Sequence, residues 1–310
     1  MNTKKLLGIL AIFLTITLWG LSYSSTKVLL QSLEPAQIVF LRLVLASVLL
    51  GMIFFIARGK IVERRDLYRV ILGGAFGYVL YFVFEHSGLQ YTTAGAGSLI
   101  AATIPVTNMI VGVTLFHELH PLRRWLGVLL SFFGVYLIIH TSGNALFSLA
   151  NKGNFLIFCG SCSWIVYTRI NEPLLKKYNS LALSFQQSVV SMLLLGVIVV
   201  PGGINLSGLN LNVWLNLSYL GLICSAGAMF LYLYALKNVG SVICTTFCNL
   251  VPVFGILGGT IFLREALITG QLIGGIITIL GVTIVTLTGD STCHKKEDVV
   301  VSAEQLTKLL

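Results

Sequence analysis

The sequence predicts an all-α membrane protein with about ten transmembrane helices, arranged as two inverted five-helix repeats. Three observations support this fold class: long apolar runs, basic residues gathered on one side, and internal similarity. Of the 310 residues, 56% are hydrophobic and only 10% are charged. A soluble domain carries roughly 25% charged residues. Each apolar run of about 18 residues or more can cross about 30 Å of hydrocarbon, so the chain is predicted to cross a bilayer repeatedly.

The apolar runs define the candidate spans. The first run begins after Lys4 and Lys5 and continues past Trp19, with no small-residue cleavage site at its end. It is therefore predicted to be a retained helix and not a signal peptide. In chain order the predicted spans cover residues 6–29, 36–56, 70–89, 94–116, 122–139, 155–167, 181–200, 213–236, 241–263 and 271–287. The sixth span is the shortest and is expected to extend into its flanking polar residues.

The basic residues indicate the orientation. With the N-terminus inside, sixteen of the twenty Lys and Arg residues fall in cytoplasmic segments. Lys27, Lys152 and Arg264 fall outside, and Arg42 lies within the second span. Since Lys and Arg accumulate in cytoplasmic loops, both termini are predicted to be cytoplasmic, in a multi-pass protein of the cell membrane. The net charge of +9 follows from this topology, so no nucleic-acid partner is expected.

Internal similarity divides the chain into two units. Residues 1–140 form the first predicted repeat, 141–152 a linker, 153–288 the second repeat and 289–310 a cytoplasmic polar tail. Five spans is an odd number, so the second unit is predicted to enter the membrane upside down. A shift of 147 residues aligns Pro105 with Pro252, Gly112 with Gly259, Glu118 with Glu265, Gly127 with Gly274 and Gly134 with Gly281, and a shift of 145 places Trp19 over Trp164.

Inverted repeats are a common basis of secondary transport, because pseudo-symmetry provides two near-equal conformations, one open to each side. A substrate would then bind near mid-bilayer, between the two halves. The alternative is that the duplication merely built a large membrane protein.

The repeated motif resembles a known family. Each half ends with a Pro-containing helix, then Glu, then Gly nine residues later and Gly again seven residues beyond. Together with Leu18-Trp19-Gly20 and Ser163-Trp164, this pattern resembles the EamA family of the drug/metabolite transporter superfamily, over residues 6–288. The resemblance implies a ten-helix bundle around a central cavity and transport of metabolites or amino acids, often export. Broad drug efflux or uptake is the alternative within this class.

Ionisable groups inside a bilayer are costly, so each is a functional candidate. Arg42 lies about 10 Å deep in the second span, at 1.5 Å per residue, and Glu85 and His86 lie at a comparable depth in the third. Arg42 and Glu85 are therefore predicted to meet, either as a binding or coupling pair or as an ion pair that locks two helices. Glu85 is the best candidate for coupling to protons.

Two further groups of residues are candidates. Pro105 and Pro252 lie in the middle of their spans and are predicted to kink them, as hinges or for packing shape alone. Polar and aromatic side chains are predicted to form a weakly charged cavity for a small-molecule substrate, and each could instead make an interhelical hydrogen bond. The predicted cavity residues are Trp19, Ser22, Arg42, Tyr81, Glu85, Asn108, Trp164, Tyr167, Gln187, Tyr232 and Asn249.

Other functions fit the sequence less well. The chain has no nucleotide-binding loop, so a gradient, exchange or facilitation would drive transport. An intramembrane enzyme would need facing catalytic groups, whereas Glu85 and His86 are adjacent and point about 100° apart. Cys159 and Cys162 have metal-site spacing but no second ligand pair, so no metal or cofactor is expected. A channel would need polar residues in register through several helices. The sequence does not indicate an oligomeric state.

Overall fold

In a computed structural model, residues 3–91, 100–141, 152–206, 208–263, 268–288 and 293–294 are described, and nearly all of them are helical. Most of the predicted linker 141–152, Glu265 and most of the tail 289–310 lie outside these residues. The helices are α1 (Thr3–Leu29), α2 (Pro35–Ile56), α3 (Arg64–Leu89), α4 (Ile104–Phe116), α5 (Leu122–Thr141), α6 (Lys152–Lys177), α7 (Ser180–Val199), α8 (Leu211–Val239), α9 (Ser241–Phe247), α10 (Val251–Leu263) and α11 (Thr269–Leu287).

The chain is a multi-pass membrane protein. Within the described residues, seven helices are long and apolar enough to cross a membrane, namely α1, α2, α3, α5, α7, α8 and α11. Two shorter apolar segments are α4 (Ile104–Phe116) and Ser241–Leu257, which comprises α9, the turn after it and the first part of α10. Large apolar side chains such as Phe55, Ile56 and Val197 are exposed on the surface, as expected of a surface that contacts lipid. The number of ten crossings stays a prediction.

Helix α6 is longer than its predicted span, 155–167. It runs from Lys152 to Lys177, 26 residues, and continues through Arg169 and past Pro173. The apolar criterion failed here because the second half of the helix is polar. Its polar side chains, including Thr168 and Asn171, are buried against other helices and not exposed to lipid.

Both mid-span prolines begin a helix, which corrects the prediction of a kink within a continuous helix. A turn precedes α4, and Pro105 lies in the first turn of that helix. A short 3-10 turn, Cys248–Leu250, precedes α10, and Pro252 is the second residue of that helix. Proline is favoured at such positions because the first N–H groups of a helix have no intrahelical acceptor. A hinge role for either proline stays a prediction.

Two helices contain a widened, π-helical stretch at similar places in the two halves of the chain. The stretches are Ala75–Leu80 in α3 and Tyr219–Ala228 in α8. Such stretches are rare and are frequently found at functional sites.

Helices α5 and α11 pack closely and antiparallel through four glycines. A Cβ atom on Gly127 would lie 2.9 Å from the Gly281 carbonyl oxygen, and one on Gly134 would lie 2.6 Å from the Gly274 carbonyl oxygen. Small residues allow two backbones to approach this closely in a membrane. The four glycines are those that recur at the 147-residue shift, so the repeated motif forms this contact.

The two short strands lie beside the end of α4. Strand β1 (Glu118–Leu119) pairs antiparallel with β2 (Cys293–His294), with Glu118 opposite His294. The backbone after α11 therefore contacts the segment between α4 and α5.

We predict that Gly274→Ala destabilises the protein and that the neighbouring substitution Gly275→Ala does not. A Cβ added at Gly274 would meet the Gly134 carbonyl oxygen at 2.6 Å, whereas one added at Gly275 would meet nothing nearer than Val253, at 3.8 Å. Overpacking of this kind costs about 1–3 kcal/mol. Thermal unfolding in detergent should show a lower midpoint for Gly274→Ala alone, and equal midpoints for the two variants would contradict the packing described.

Candidate functional site

A cavity lies between the two halves of the chain. Its lining comes from α1, α2, α3 and the start of α4 in the first half, and from α6, α10 and the turn before α10 in the second. The breaks in both interrupted helices face it, at Ala101 and Ile104 and at Cys248 and Val251. The lining residues are Trp19, Ser22, Thr26, Arg42, Tyr81, Phe82, Glu85, Leu89, Ala101, Ile104, Trp164, Cys248, Val251 and Pro252.

The structure places six of the eleven predicted cavity residues in this lining: Trp19, Ser22, Arg42, Tyr81, Glu85 and Trp164. Pro252 also lines the cavity, and Ile104 does so next to Pro105. Four of the six lie about one helical turn apart in pairs, Trp19 and Ser22 on α1 and Tyr81 and Glu85 on α3. Their role in binding a substrate stays a prediction.

The other five predicted residues lie deeper, where they connect helices. The Asn108 amide donates to the Thr245 hydroxyl at 3.3 Å, and the Asn249 amide donates to the Ser131 hydroxyl at 2.8 Å. Such contacts fit the alternative prediction that each of these residues makes an interhelical hydrogen bond. Gln187 donates to Asn171 at 2.8 Å, Tyr232 shares a hydrogen bond with Thr168 at 3.0 Å, and Tyr167 is buried beside Trp164.

Aromatic rings form the wall of the cavity and the layer beneath it. The rings of Trp19 and Trp164 meet edge to face with centroids 5.3 Å apart. Trp164 also contacts Tyr81 at 4.7 Å, Tyr232 at 4.8 Å and Tyr167 at 5.0 Å. Ring pairs at these separations stabilise the fold by about 0.5–1.5 kcal/mol each beyond their burial. The two tryptophans that the 145-residue shift relates are therefore in contact at the centre of the molecule.

The His86 ring lies between Arg42 and Glu85. Nη1 of Arg42 lies 3.1 Å from Nε2 of His86, and Nε2 lies 3.9 Å from a Glu85 carboxylate oxygen. The hydroxyl of Tyr81 donates to the other Glu85 oxygen at 3.0 Å. Because guanidinium can only donate, Nε2 of His86 is the acceptor, so its ring is neutral with the proton on Nδ1. The sequence placed Arg42 and Glu85 at one depth but did not indicate that the histidine lies between them.

A second charged cluster lies between α6 and the end of α4. Nη1 and Nη2 of Arg169 contact the two Glu118 carboxylate oxygens at 2.6 and 3.3 Å. Nε of Arg169 donates to the Asn108 side chain at 2.9 Å, and Nη2 donates to its carbonyl at 2.8 Å. Glu172 lies 3.3 Å from Nη1. These four residues, with His120 beside Glu118, are called the Arg169 cluster below.

The sequence missed the Arg169 cluster because Arg169 was assigned to a cytoplasmic segment beyond the sixth span. The cluster forms where Gly112 leaves room, since a Cβ at that position would meet both the Glu118 carboxylate and the Arg169 guanidinium. Gly112 and Glu118 belong to the repeated motif. The repeated motif therefore marked Glu118 as a candidate, but no pattern in the sequence marked its partner Arg169.

The carboxyl group of Glu118 is held in its charged form. Its partial burial, the largest influence, raises its pKa, but the hydrogen bonds from His120 and Arg169 and the charge of Arg169 together lower the pKa to about 2. A carboxylate with a lowered pKa stabilises the fold above its ordinary pKa of 4.5, and this contribution is lost as the pH falls towards 2. The ion pair should therefore persist throughout the physiological range.

We predict that Glu118→Gln lowers the thermal midpoint by an amount that is constant between pH 8 and 5.5, because Glu118 is fully charged in that range. The variant leaves the Arg169 guanidinium buried without its main counter-charge. The matched control is Glu172→Gln, which removes a more exposed carboxylate with a single contact to Arg169. A loss equal to that of the control, or one that fades from pH 8 to 5.5, would contradict the described pair.

Comparisons with known proteins agree with this architecture. A family model described as the EamA-like transporter family matches residues 6–140 and 151–287. An uncharacterized transporter of Archaeoglobus fulgidus is 32% identical over 290 residues, which cover 92% of this chain and 98% of that protein. The uncharacterized inner membrane transporter YedA of Escherichia coli K12 is 27% identical over 302 residues, which cover 93% of each chain.

A solved crystal structure shares the fold. It superposes with a TM-score of 0.75 and covers 93% of this chain and 99% of that chain. Its sequence identity of 20% supports the shared fold alone.

Proposed function

The chain belongs to the EamA-like transporter family, and from this premise we propose that it is a secondary carrier of small organic metabolites. It works by alternating access between two inverted five-helix repeats that cross the membrane ten times. The observation that carries this proposal is the cavity, which both halves of the chain build together around the breaks in two helices. Secondary transporters bind substrates at such interrupted helices near the bilayer midplane.

The contact between α5 and α11 supports the inversion. The 147-residue shift relates Gly127 to Gly274 and Gly134 to Gly281, and these four glycines meet in crossed, antiparallel order, Gly127 against Gly281 and Gly134 against Gly274. Two equivalent helices that pack in opposite directions are what an inverted duplication produces. Helices α4 and α6, and the α9–α10 pair, supply the crossings beyond the seven long apolar helices.

The Arg169 cluster supports an outward-facing state. The cavity lies towards the ends of α1 and α3, at Thr26 and Leu89. The Arg169 cluster lies towards the opposite side, where α4 ends. With both termini cytoplasmic, the cavity faces outward and the ion pair of Arg169 with Glu118 closes the cytoplasmic side. The inward-facing state then requires this pair to separate.

The cavity suits amino acids or related compounds better than polyphosphates, because its described lining residues include one Arg, one Glu and several aromatic rings. Export is the direction that we propose, with uptake or broad drug efflux as the alternatives. Glu85 is proposed as the group that couples transport to protons, since its carboxylate lies at the cavity wall, where the Tyr81 hydroxyl donates to it.

We predict opposite locations for the two motif glutamates. Fusions truncated after Glu118 and after Glu265 should place a reporter in the cytoplasm and outside it, respectively, because the second repeat is inverted. Alkaline phosphatase and green fluorescent protein activities in cells measure the two locations. The same location for both fusions would remove the basis of alternating access.

We predict that the purified protein in proteoliposomes exchanges a mixture of radiolabelled L-amino acids against unlabelled ones. In Glu85→Gln this counterflow should persist, while accumulation driven by a pH gradient is lost, because exchange needs the cavity but not the coupling proton. Counterflow and gradient-driven uptake are measured on the same vesicles.

The control for that experiment is Glu34→Gln, which changes an exposed carboxylate outside the cavity lining. It should leave both activities unchanged. Accumulation by Glu85→Gln equal to that of the wild type would contradict the coupling role. If the protein showed no counterflow with any mixture of metabolites, the proposed carrier function would be contradicted.

A further inference from the structure

In the described part of the chain, the positive charge of Arg42 is not in contact with a carboxylate. The residue is only 3% exposed, and the His86 ring lies between it and Glu85. Nε of Arg42 donates to the Ser225 hydroxyl at 3.0 Å, its Nη1 to the His86 ring at 3.1 Å, and its Cζ lies 4.2 Å from the centre of the Phe82 ring. All three neighbours are neutral. Arg169, by contrast, is paired directly with two glutamates.

A buried cation without a direct counter-charge is strongly unfavourable, and proteins keep one where a partner neutralises it. Guanidinium carries five N–H donors in a planar fork. The bonds to Ser225 and His86 use two of them, which leaves three donors without a protein acceptor among the described residues. The residue lines the cavity, so a molecule bound there can accept hydrogen bonds from these donors.

The neighbours of Arg42 fix its position before a ligand arrives. Ser225 lies in the π-helical stretch of α8, and Phe82 and His86 lie one turn apart on α3. A guanidinium anchored on one edge and stacked on a ring cannot turn away from the cavity. A fork held in this way matches the two oxygens of a carboxylate in bidentate geometry.

The charge of the lining selects the kind of anion. Among the lining residues that the structure describes, Arg42 is the one basic side chain, and Glu85 supplies a negative charge on the same wall. A phosphate dianion would be repelled by Glu85 and would meet only one cation. A single carboxylate balances Arg42, and the rings of Trp19 and Trp164 accept an apolar body.

We propose that Arg42 binds the carboxylate of the transported molecule, and that the substrates are monocarboxylates with an apolar body, with or without an amino group. This assignment rests on the proposed carrier function and names the group that its cavity recognises. Arg42 is thereby the residue that determines specificity.

The test uses carboxylates and their neutral amides, which have nearly the same shape. The probes are 3-phenylpropanoate with 3-phenylpropanamide, and 4-methylpentanoate with 4-methylpentanamide. Thermal stabilisation of the purified full chain in detergent reports binding. In at least one pair, we expect the carboxylate to stabilise the wild type at a concentration at least tenfold lower than its amide. Equal concentrations in both pairs, or no stabilisation by either carboxylate, would overturn the proposal.

Variants of Arg42 and of its neighbour Ser225 test whether Arg42 causes the preference for carboxylates over amides. Arg42→Gln should abolish the difference between carboxylate and amide, and Arg42→Lys should keep part of it, because lysine retains the charge without the fork. Ser225→Ala keeps the guanidinium but releases its anchor, so it should weaken carboxylate binding several-fold and leave amide binding unchanged. If Arg42→Gln does not fold, Arg42→Lys and Ser225→Ala decide the question. An unchanged preference in both would overturn the proposal.

The matched control is Glu85→Gln, which removes the opposite charge from the same wall. Carboxylate binding should be equal or tighter in this variant, and a tenfold loss would contradict the assignment of the anion to Arg42. Failure of the carrier function is distinguishable. A protein that prefers carboxylates but exchanges none of them across vesicles binds as proposed without being a carrier. One that exchanges amides as well as carboxylates is a carrier with another recognition group.

Discussion

The exclusion of water from the hydrocarbon layer governs this structure, because every polar group that enters it must find a partner within the protein. Most of the buried polar side chains form interhelical bonds, such as that of Asn249 with Ser131 and that of Gln187 with Asn171. Arg169 satisfies the same requirement with Glu118. Arg42 satisfies it only in part. The contrast between the two arginines separates a structural charge from one that faces the cavity.

The same constraint explains where the helices are interrupted. A broken helix exposes backbone N–H and C=O groups, which is tolerated at membrane depth only beside a cavity or within the protein. Pro105 and Pro252 begin helices at such breaks, and the residues around both breaks border the cavity. The four glycines of α5 and α11 form a separate, closely packed pair of helices. In each half, the interrupted helix thus borders the cavity, and the continuous, glycine-containing helix packs against its equivalent in the other half.

The sequence predicted the class of the protein and most of its helices, because lipid-facing segments must be apolar along their whole length. The resemblance to the EamA family is confirmed over nearly the whole chain. The sixth span was expected to extend into polar residues, but the length of that extension in α6 could not be predicted because its polar side chains contact protein. The Arg169 cluster escaped because it joins residues from three segments whose contact no spacing reveals. Hydrophobicity locates helices well, whereas the rotation that brings Arg42 to the cavity and buries Gln187 depends on tertiary packing.

The edge-to-face contact of Trp19 with Trp164 has a consequence for spectroscopy. The chain has four tryptophans, and two of them couple across the boundary between its halves at 5.3 Å. Coupled indoles at fixed geometry give a strong near-ultraviolet circular dichroism signal, which decreases when the rings move apart. A rocking motion of one half against the other would therefore change an optical signal intrinsic to the protein, without any attached dye.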